Sequence, residues 1–290
     1  MKKVVALILT SAFSLFAVAA QDKQPSKWKG EGTAAVNMTQ VSLSNWAAGG
    51  DNSIAFDLHF NYTLDYKYKK SLWQNRLELS YGLNDTKSDG TRKINDKIYL
   101  SSNYGYNIGK NWYASMLMTF QSQFDKGYDY KITPHMSISK FLAPGYLTIG
   151  PGFSWTPKDW FKLNLSPATL RITFVLDDDL SNAGAYGVDP GKNLLIQFGG
   201  DVMMEFNKEI LKNMTLYSRL NLFSNYLDDP QNIVVHWDNK LNMKINKWFS
   251  ANLEFNMIYD DNVKIESKKG RIGPRLQVKE TLGVGLQLSF

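Results

Sequence analysis

Cysteine is absent from the 290 residues of the sequence, and beyond its first 20 residues no hydrophobic run is long enough for a membrane-spanning helix. The lack of cysteine excludes a disulfide framework, a thiolate metal site, a cysteine nucleophile and a lipid-modified N-terminal cysteine. A spanning helix needs about 20 consecutive apolar residues, so a helical membrane protein is disfavoured. Histidine is also scarce, with 3 residues, and the net charge of +6 is not gathered into a basic tract. Nucleic acid is therefore not an expected partner, and no motif indicates a cofactor.

The N-terminus has the three parts of a secretory signal peptide. Lys2 and Lys3 form a basic start, residues 4–16 are apolar, and residues 17–20 are the small residues of a cleavage site. The alternative is a membrane anchor, but the apolar stretch is short and polar residues follow it directly. We predict that residues 1–20 are removed on export and that residues 21–30 form a short periplasmic N-terminal segment.

A two-residue period runs through almost all of the remaining chain. Between positions 54 and 68 every even-numbered residue is apolar or aromatic, whereas the odd-numbered residues include Asp57, His59 and Asp65. A β-strand sends alternate side chains to opposite faces, so the pattern predicts strands with one apolar and one polar face. Twelve such strands are predicted, at about residues 31–44, 52–68, 72–84, 96–108, 111–124, 145–156, 160–176, 193–207, 213–226, 232–246, 249–260 and 275–290.

The connections between these segments alternate between short and long. The short ones are residues 69–71, 107–110, 156–159, 207–212 and 246–247, and the long ones are residues 45–51, 85–95, 125–144, 177–192, 227–231 and 261–274. Short periplasmic turns and longer outer loops are typical of outer-membrane barrels, which have an even number of strands. Aromatic residues follow the short turns and predict an interfacial girdle of Trp73, Trp112, Trp160, Trp248 and Phe249.

A soluble β-sandwich also alternates, but its strands are shorter and its exposed face is the polar one. Most of the predicted segments exceed the roughly 9–11 residues with which a tilted strand crosses a bilayer. In lipid every backbone N–H and C=O must be paired, and a closed sheet achieves this without leaving an edge. The predicted fold class of residues 31–290 is therefore all-β: a single closed antiparallel transmembrane β-barrel of 12 strands with up-and-down topology, in the outer membrane.

The chain ends on Phe290, in register with the apolar residues of its last segment. Together with Gly285 and Leu288, this end resembles the C-terminal signal of barrels handled by the outer-membrane assembly machinery. Val284 stands where a polar residue is usual before the glycine. The expected partners are that machinery, outer-membrane lipid and lipopolysaccharide.

The polar face of the strands is predicted to line the lumen. The lumen-lining candidates carry charges of both signs: Asp57, His59, Asp65, Arg76, Glu78, Lys97, Arg219, His236, Asp238, Lys240, Glu254 and Lys279, and Asp201, Glu205, Lys244 and Arg275 share their parity. Twelve strands lie between the roughly 8 that side chains can fill and the roughly 16 that leave an open channel. Inward Tyr99, Tyr113, Tyr217 and Phe223 could stack on a solute or fill volume. Filling and charge pairing are favoured, because interior polar groups need partners in either case.

The sequence contains no recognisable catalytic constellation. His59 and His236 point into the lumen and His135 lies in a long loop, and none has a serine at hydrogen-bond spacing. Acidic residues gather at the outer ends of strands: Asp177, Asp178, Asp179, Asp228, Asp229, Asp260 and Asp261. Carboxylates suit Ca²⁺ or Mg²⁺, but a solvated rim is the commoner interpretation, so no metal site is predicted. Residues 181–191 are rich in turn residues and could fold inward as a constriction.

Three stretches carry a resemblance to a known family: residues 41–50 (VSLSNWAAGG), 174–191 (FVLDDDLSNAGAYGVDPG) and 242–247 (NMKINK). They resemble an outer-membrane β-barrel family of unknown function from Bacteroides-type Gram-negative bacteria. The resemblance spans almost the whole mature chain. It implies a barrel in the outer membrane and brings no catalytic or binding residue.

The first functional hypothesis is a narrow, porin-like channel for small polar solutes that is selective through its mixed-charge lumen. The alternative is a non-conducting structural, assembly or partner-binding component of the outer membrane, which Trp46 and the long loop at 125–144 favour. An outer-membrane hydrolase is the weakest hypothesis, because the catalytic constellation is missing.

Overall fold

The computed structural model describes residues 27–42, 52–130, 136–266 and 270–290. Twelve antiparallel strands form a closed barrel and follow one another around the wall in chain order. They are β1 (Trp28–Val41), β2 (Ser53–Tyr68), β3 (Ser71–Thr86), β4 (Gly90–Gly109), β5 (Trp112–Ser122), β8 (Gly145–Lys158), β9 (Phe161–Phe174), β10 (Leu194–Leu211), β11 (Met214–Asn225), β12 (Ile233–Lys244), β13 (Phe249–Tyr259) and β16 (Gln277–Ser289). Two hairpins stand outside the wall: β6 (Gly127–Asp129) with β7 (Met136–Ser139), and β14 (Lys264–Glu266) with β15 (Ile272–Pro274). The predicted closed barrel of 12 strands is confirmed.

The alternation in the sequence separates an apolar exterior from a polar interior. On β2, Phe56 and Leu58 are each 44% exposed, whereas Asp57 and His59 between them are 7% and 9% exposed. Successive side chains of a strand face opposite sides, so the same order repeats along each strand of the wall. The arrangement is the reverse of a soluble protein, in which the apolar face is the buried one.

Several strand boundaries differ by a few residues from those predicted, and two of these differences concern the N-terminal segment and a predicted long loop. β1 begins at Trp28, inside the stretch predicted to be a periplasmic lead-in, because Trp28 pairs with Tyr66 of β2 and their rings lie 4.9 Å apart. The long loop predicted over residues 85–95 is wrong: β3 and β4 continue as one hairpin with a turn at residues 87–89. Thr91 donates to Asp85 at 2.7 Å, and Gly90 has the positive φ that the turn requires.

The pairing between β8 and β9 is interrupted between Ile149 and Phe153. Pro151 on β8 and Pro167 on β9 lie at this interruption. Proline has no N–H to donate to the ladder, so it is tolerated only where pairing is broken. The wall is irregular here but remains closed.

The two ends of the barrel differ. The connections after β2, β4, β8, β10 and β12 are short and define the turn end, whereas the connections at the opposite, loop end include the longer ones. The connection between β9 and β10 contains helix α1 (Asp178–Asn182) and a 3₁₀ turn (Ala185–Gly187). Its buried side chains, Val175, Leu180 and Val188, pack with Ala143 from the loop before β8. Within the described residues, no helix is long and apolar enough to cross a membrane.

The long connections contact one another at the loop end. The hydroxyl of Tyr186 donates to the backbone oxygen of Ile138 on β7 at 2.5 Å, and burial raises the pKa of Tyr186 to about 12. The backbone of Gly187 lies close to Asn262, in the connection after β13. The segment 181–191, for which inward folding was considered from the sequence, packs against two neighbouring loops.

The remaining predictions concern residues outside the described ranges. They include the signal peptide at 1–20, most of the lead-in at 21–30, Trp46 and His135.

Candidate functional site: the charged lumen

The lumen is lined by charged side chains from strands all around the wall. Ten of the residues proposed from the sequence line two cavities inside the barrel: His59, Arg76, Glu78, Lys97, Arg219, His236, Asp238, Lys240, Glu254 and Lys279. Asp57 hydrogen-bonds to His59, and Asp65 accepts from Gln74. Strict alternation along long strands brings these distant residues together.

Six charged residues form a single layer between the two ends of the barrel. This mid-lumen ion layer consists of Arg76, Glu78, Lys97, Glu205, Arg219 and Asp238. The layer contains as many cations as carboxylates, so its formal charge is balanced.

Arg219 and Lys97 hold the layer together. Arg219 places Nη1 2.9 Å from Glu78 Oε1 and Nη2 2.6 Å from Asp238 Oδ2. Lys97 places Nζ 3.0 Å from Glu78 Oε2 and 3.3 Å from Asp238 Oδ2. Glu78 and Asp238 are therefore each shared by Arg219 and Lys97, and Glu78 also pairs with Arg76 at 2.8 Å. Several donors to one carboxylate satisfy its extra lone pairs.

These ion pairs join opposite walls of the barrel. In the order of strands around the wall, β3 lies half a circumference from β11, and β4 lies half a circumference from β12. Glu78 of β3 meets Arg219 of β11, and Lys97 of β4 meets Asp238 of β12. The mid-lumen ion layer thus spans the full width of the lumen.

Aromatic rings fill the space beside the layer. The guanidinium of Arg219 lies 3.8 Å from the ring centroid of Tyr99, and that of Arg76 lies 4.1 Å from the ring centroid of Tyr217. Tyr113 and Phe223 are also buried, 8% and 2% exposed. From the sequence, Tyr99 and Tyr217 could stack on a solute or fill volume. In the structure, Tyr99 lies against Arg219 and Tyr217 lies against Arg76.

The mid-lumen ion layer separates two cavities. The loop-side cavity has a volume of about 420 Å³ and includes Tyr146, Arg171 and His236 in its lining. The turn-side cavity has a volume of about 660 Å³ and includes Glu31, Lys240 and Gln287 in its lining. Lys97 and Asp238 line both cavities, which places the layer at the boundary between them.

The buried histidine His59 lies between carboxylates. Its Nε2 is 2.9 Å from Asp57 Oδ2, and its Nδ1 is 3.8 Å from Glu254 Oε1. Glu254 in turn pairs with Lys240 at 2.7 Å. These contacts make His59 part of a charge network.

The acidic residues at the loop end have separate partners. Asp260 pairs with Arg171 at 3.1 Å, with both residues buried. Asp177 caps helix α1 and pairs with Lys140 at 2.8 Å. The hydrogen bonds from Lys140 and from the backbone N–H of Leu180 hold the pKa of Asp177 below its usual range.

The other acidic residues that were considered as metal ligands lie apart from one another or are exposed at the loop end. Asp261 accepts from the hydroxyl of Tyr259, and Asp178 and Asp179 are exposed in the first turn of α1. Asp228 and Asp229 lie in the turn between β11 and β12. In the part of the chain that the structure describes, no three His, Asp or Glu residues are grouped so as to hold a metal ion.

The proposed aromatic girdle lies at the turn end. Trp73, Trp160, Trp248 and Phe249 are between 37% and 50% exposed. Trp112 stacks on Trp155, with ring centroids 5.8 Å apart. Lys208 and Lys247 lie over the rings of Trp160 and Trp248, so ammonium groups accompany the rings as they do at a membrane interface. Trp28, Trp155 and Phe206 extend this belt, since their rings pack on the predicted members.

The C-terminal residues close the barrel. Gly285 and Leu288 pair with Asn37 and Ala34 of β1. Phe290 exchanges backbone hydrogen bonds with Gly32, and its ring covers the face of that glycine. The residues proposed as an assembly signal are therefore also structural parts of the last strand pairing.

Comparison with known proteins gives a family match over part of the chain. Residues 38–128 match the model of a family of proteins of unknown function (DUF3078). A comparison with curated proteins gives no match.

Solved barrels of low similarity cover most of the chain. The translocator domain of the autotransporter NalP from Neisseria meningitidis covers 100% of this chain and 98% of its own, with 11% identity and a TM-score of 0.37. The NanC porin covers 88% of this chain and 98% of its own, with 10% identity and a TM-score of 0.38. The COG4313 outer membrane channel from Pseudomonas putida F1 covers 94% of this chain and 98% of its own, with 10% identity and a TM-score of 0.41.

Sequence reasoning missed two polar groupings in the lumen. Arg171, which pairs with Asp260, was not singled out, although it shares the parity of the buried Thr169 and Thr173. Asn103 of β4 donates to Asn164 Oδ1 of β9 at 2.9 Å, three strands further along the wall, and Ser154 of the intervening β8 bonds to both. Parity identifies which residues face inward, but not which of them meet.

Proposed function

We propose that the protein is an outer-membrane β-barrel whose lumen is closed to free diffusion, and that it acts as a non-conducting component of the envelope. The mid-lumen ion layer carries this proposal, because its ion pairs connect opposite walls. In this proposal, a solute that passes from one cavity to the other meets the Glu78–Arg219 and Asp238–Lys97 pairs across its path. Breaking a buried pair leaves an uncompensated charge, which costs several kcal/mol.

The exterior of the barrel supports the membrane location. Large apolar side chains face outward on strands around the wall: Met38, Phe56, Leu58, Met116, Phe153, Ile196, Phe198, Phe255 and Leu282 among them. Leaving one such side chain in water instead of burying it costs about 1.5–3 kcal/mol. Soluble monomers rarely expose contiguous apolar patches larger than a few hundred Å². Lipid around the wall removes this cost.

The two ends of the barrel support an orientation. The girdle and its lysines lie at the turn end, which also holds the start of β1 and the end of β16. Short turns on the periplasmic side are the rule in outer-membrane barrels. We assign the turn end to the periplasm, where the assembly machinery would meet the C-terminal strand, and the loop end to the lipopolysaccharide-bearing outer surface.

Conductance of the folded protein in planar bilayers tests the closed lumen. We expect the unmodified protein to give no stable openings, and the double variant Arg219→Ala/Lys97→Ala to give discrete steps, because it lacks the two cations whose ion pairs join strands half a circumference apart. Lys29→Ala is the control, since Lys29 is exposed and pairs only locally with Glu31. Stable openings of the unmodified protein would overturn the proposal.

The second candidate function is a gated channel for small polar solutes. The two cavities favour it, because a rearrangement confined to one layer would join them into a continuous path. Liposome swelling with small neutral and charged solutes distinguishes the candidates. Uptake by the unmodified protein that rises in Arg219→Ala/Lys97→Ala supports a gated channel, and the absence of uptake by the unmodified protein supports the closed component.

A further inference from the structure

The first strand, β1, and the last strand, β16, meet at the seam of the barrel wall. They are paired over only part of its length. Register pairs run from Thr33–Ser289 to Asn37–Gly285, and Gly32 with Phe290 completes the turn-side end. β1 nevertheless continues to Val41 along β2, and β16 begins at Gln277 along β13. Between residues 38–41 and 277–284, all within the described ranges, the two strands share no register pair. We call this stretch the loop-side seam.

Side chains at the loop-side seam are more exposed than those below it. On β1 the inward residues Ala35 and Asn37 are buried, whereas the next inward residue, Thr39, is exposed. On β16 the outward Leu282 is 66% exposed, and the inward Lys279 is also exposed. Because a complete wall buries its inward side chains, these exposures indicate an opening.

Asn37 marks the point where the pairing ends. Its side chain is 6% exposed, yet its Oδ1 has no hydrogen-bond partner. The amide lies against Gly283, where an added Cβ would come within 2.8 Å of Asn37 Nδ2. Since buried polar atoms almost always have partners, the acceptor left without one among the described residues is consistent with pairing that ends at this position.

The loop-side cavity reaches this seam. Its lining includes Gln277, Val278 and Lys279, which belong to the stretch of β16 without a β1 partner. Val278 has the parity of the outward residues and is 54% exposed, so a residue of the exterior face also borders the interior cavity. The loop-side cavity therefore borders the stretch of β16 that has no partner on β1.

We propose that the loop-side seam, which the proposed orientation places in the outer leaflet, is a lateral opening that holds a lipopolysaccharide of the surrounding membrane, with a phosphate of its headgroup in the loop-side cavity and its acyl chains leaving between β1 and β16. This inference rests on the proposed membrane location. Lys279 would receive the headgroup: its Nζ donates to the amide oxygen of Asn95 at 2.9 Å, and its ammonium retains donors for a phosphate. Met38, Leu282 and Val284 offer exposed apolar side chains to the acyl chains.

Disulfide trapping tests whether the loop-side seam is open. The native chain has no cysteine, so the engineered pairs are the only thiols. Ala34 and Leu288 are partners in the paired seam, and continuation of the same register would bring Gln40 opposite Leu282. We expect Ala34→Cys/Leu288→Cys to cross-link readily in vesicles and Gln40→Cys/Leu282→Cys to do so at least tenfold more slowly. Equal rates would overturn the opening.

Lipid access tests the occupant. A fluorophore on Thr39→Cys should be quenched by brominated acyl chains, whereas the same fluorophore on Thr33→Cys, which faces inward below it, should not. Native mass spectrometry of protein from vesicles that contain phosphatidylcholine and diphosphorylated lipid A should show retained lipid A. Lys279→Gln should weaken this retention about tenfold, and the exposed control Lys29→Gln should leave it unchanged.

Three results would overturn the inference. They are equal quenching at Thr39 and Thr33, retention that does not depend on Lys279, and a copurified polypeptide paired with β16 in place of lipid. Heat-dependent mobility of each variant on gels shows independently whether the barrel is inserted. A protein that never enters vesicles would refute the membrane location itself, which keeps that failure separate from failure of the lateral opening.

Discussion

Removal of Arg219 should destabilise the barrel through the two carboxylates that it leaves behind. Arg219 is 4% exposed and contacts Glu78 at 2.9 Å and Asp238 at 2.6 Å. Without it, the mid-lumen ion layer keeps three carboxylates but only two cations, Arg76 and Lys97. Removing one partner of a buried pair typically costs about 3–5 kcal/mol, so we expect Arg219→Met to lower the free energy of unfolding by about that amount.

A double-mutant cycle separates the ion pair from loss of packing. Glu78→Gln alone should also destabilise the barrel, because it leaves Arg219 and Lys97 sharing Asp238. The double variant Arg219→Met/Glu78→Gln restores the charge balance of the layer. We expect it to be less destabilised than the sum of the single variants by about 0.5–3 kcal/mol, the range for residues in one network.

Urea unfolding in lipid vesicles, followed by tryptophan fluorescence, measures each corner of the cycle. The matched control is the pair Lys29–Glu31, which has a shorter contact of 2.7 Å but side chains that are 80% and 66% exposed. We expect no measurable coupling there, because solvent screens the pair. Additivity of Arg219→Met and Glu78→Gln to within about 0.5 kcal/mol would refute the layer as an energetic unit.

Two further predictions concern the seam and the loops. Gly285→Val should reduce the yield of folded, heat-modifiable protein, because an added Cβ would clash with the backbone oxygen of Val36 across the seam. The control Gly273→Ala should fold normally, because there is free space around Gly273. Equal yields of the two variants would count against close packing at Gly285. The pKa of Asp177 is lowered in the folded loop. At a pH above the usual pKa of aspartate, the ionised carboxylate contributes its full stabilisation of the loop. This contribution is lost as the pH falls through the lowered pKa. Pepsin cleavage within residues 177–192, normalised to an unstructured peptide substrate at each pH, should therefore accelerate only on strong acidification, and Asp177→Ala, which lacks the capping oxygen, should be cleaved rapidly at every acidic pH tested; identical profiles for the two proteins would contradict the role of the cap.

The alternation in the sequence was sufficient to predict the barrel, because in this wall each side chain has only two environments to choose from. Asp57 and Phe56 are adjacent in the chain and differ completely in burial, and their parity alone separates them. The hairpin at residues 85–95 was misjudged, since its polar residues resemble a loop although they continue the ladder. A polar strand outside the apolar zone has no alternation from which it could be recognised.

The contacts within the lumen could not be predicted in this way. Parity placed Glu78 and Arg219 in the interior, but which wall faces which depends on strand order and on the stagger between strands. The partial seam was also inaccessible to sequence, because the apolar pattern of β16 continues unbroken through Leu282 and Val284 where its pairing with β1 has ended. Both features arise from closure of the sheet.

Glu78 and Arg219 are 141 positions apart in the chain. Their bond has no local precursor, because it requires the sheet to curl until its first and last thirds face each other. During assembly of the barrel, an incomplete sheet would carry Glu78 and Arg219 without their ion-pair partners. Closure of the sheet would bring the two side chains together and pair their charges in one step. The same contacts that obstruct the lumen would thereby favour the finished ring over partly assembled intermediates.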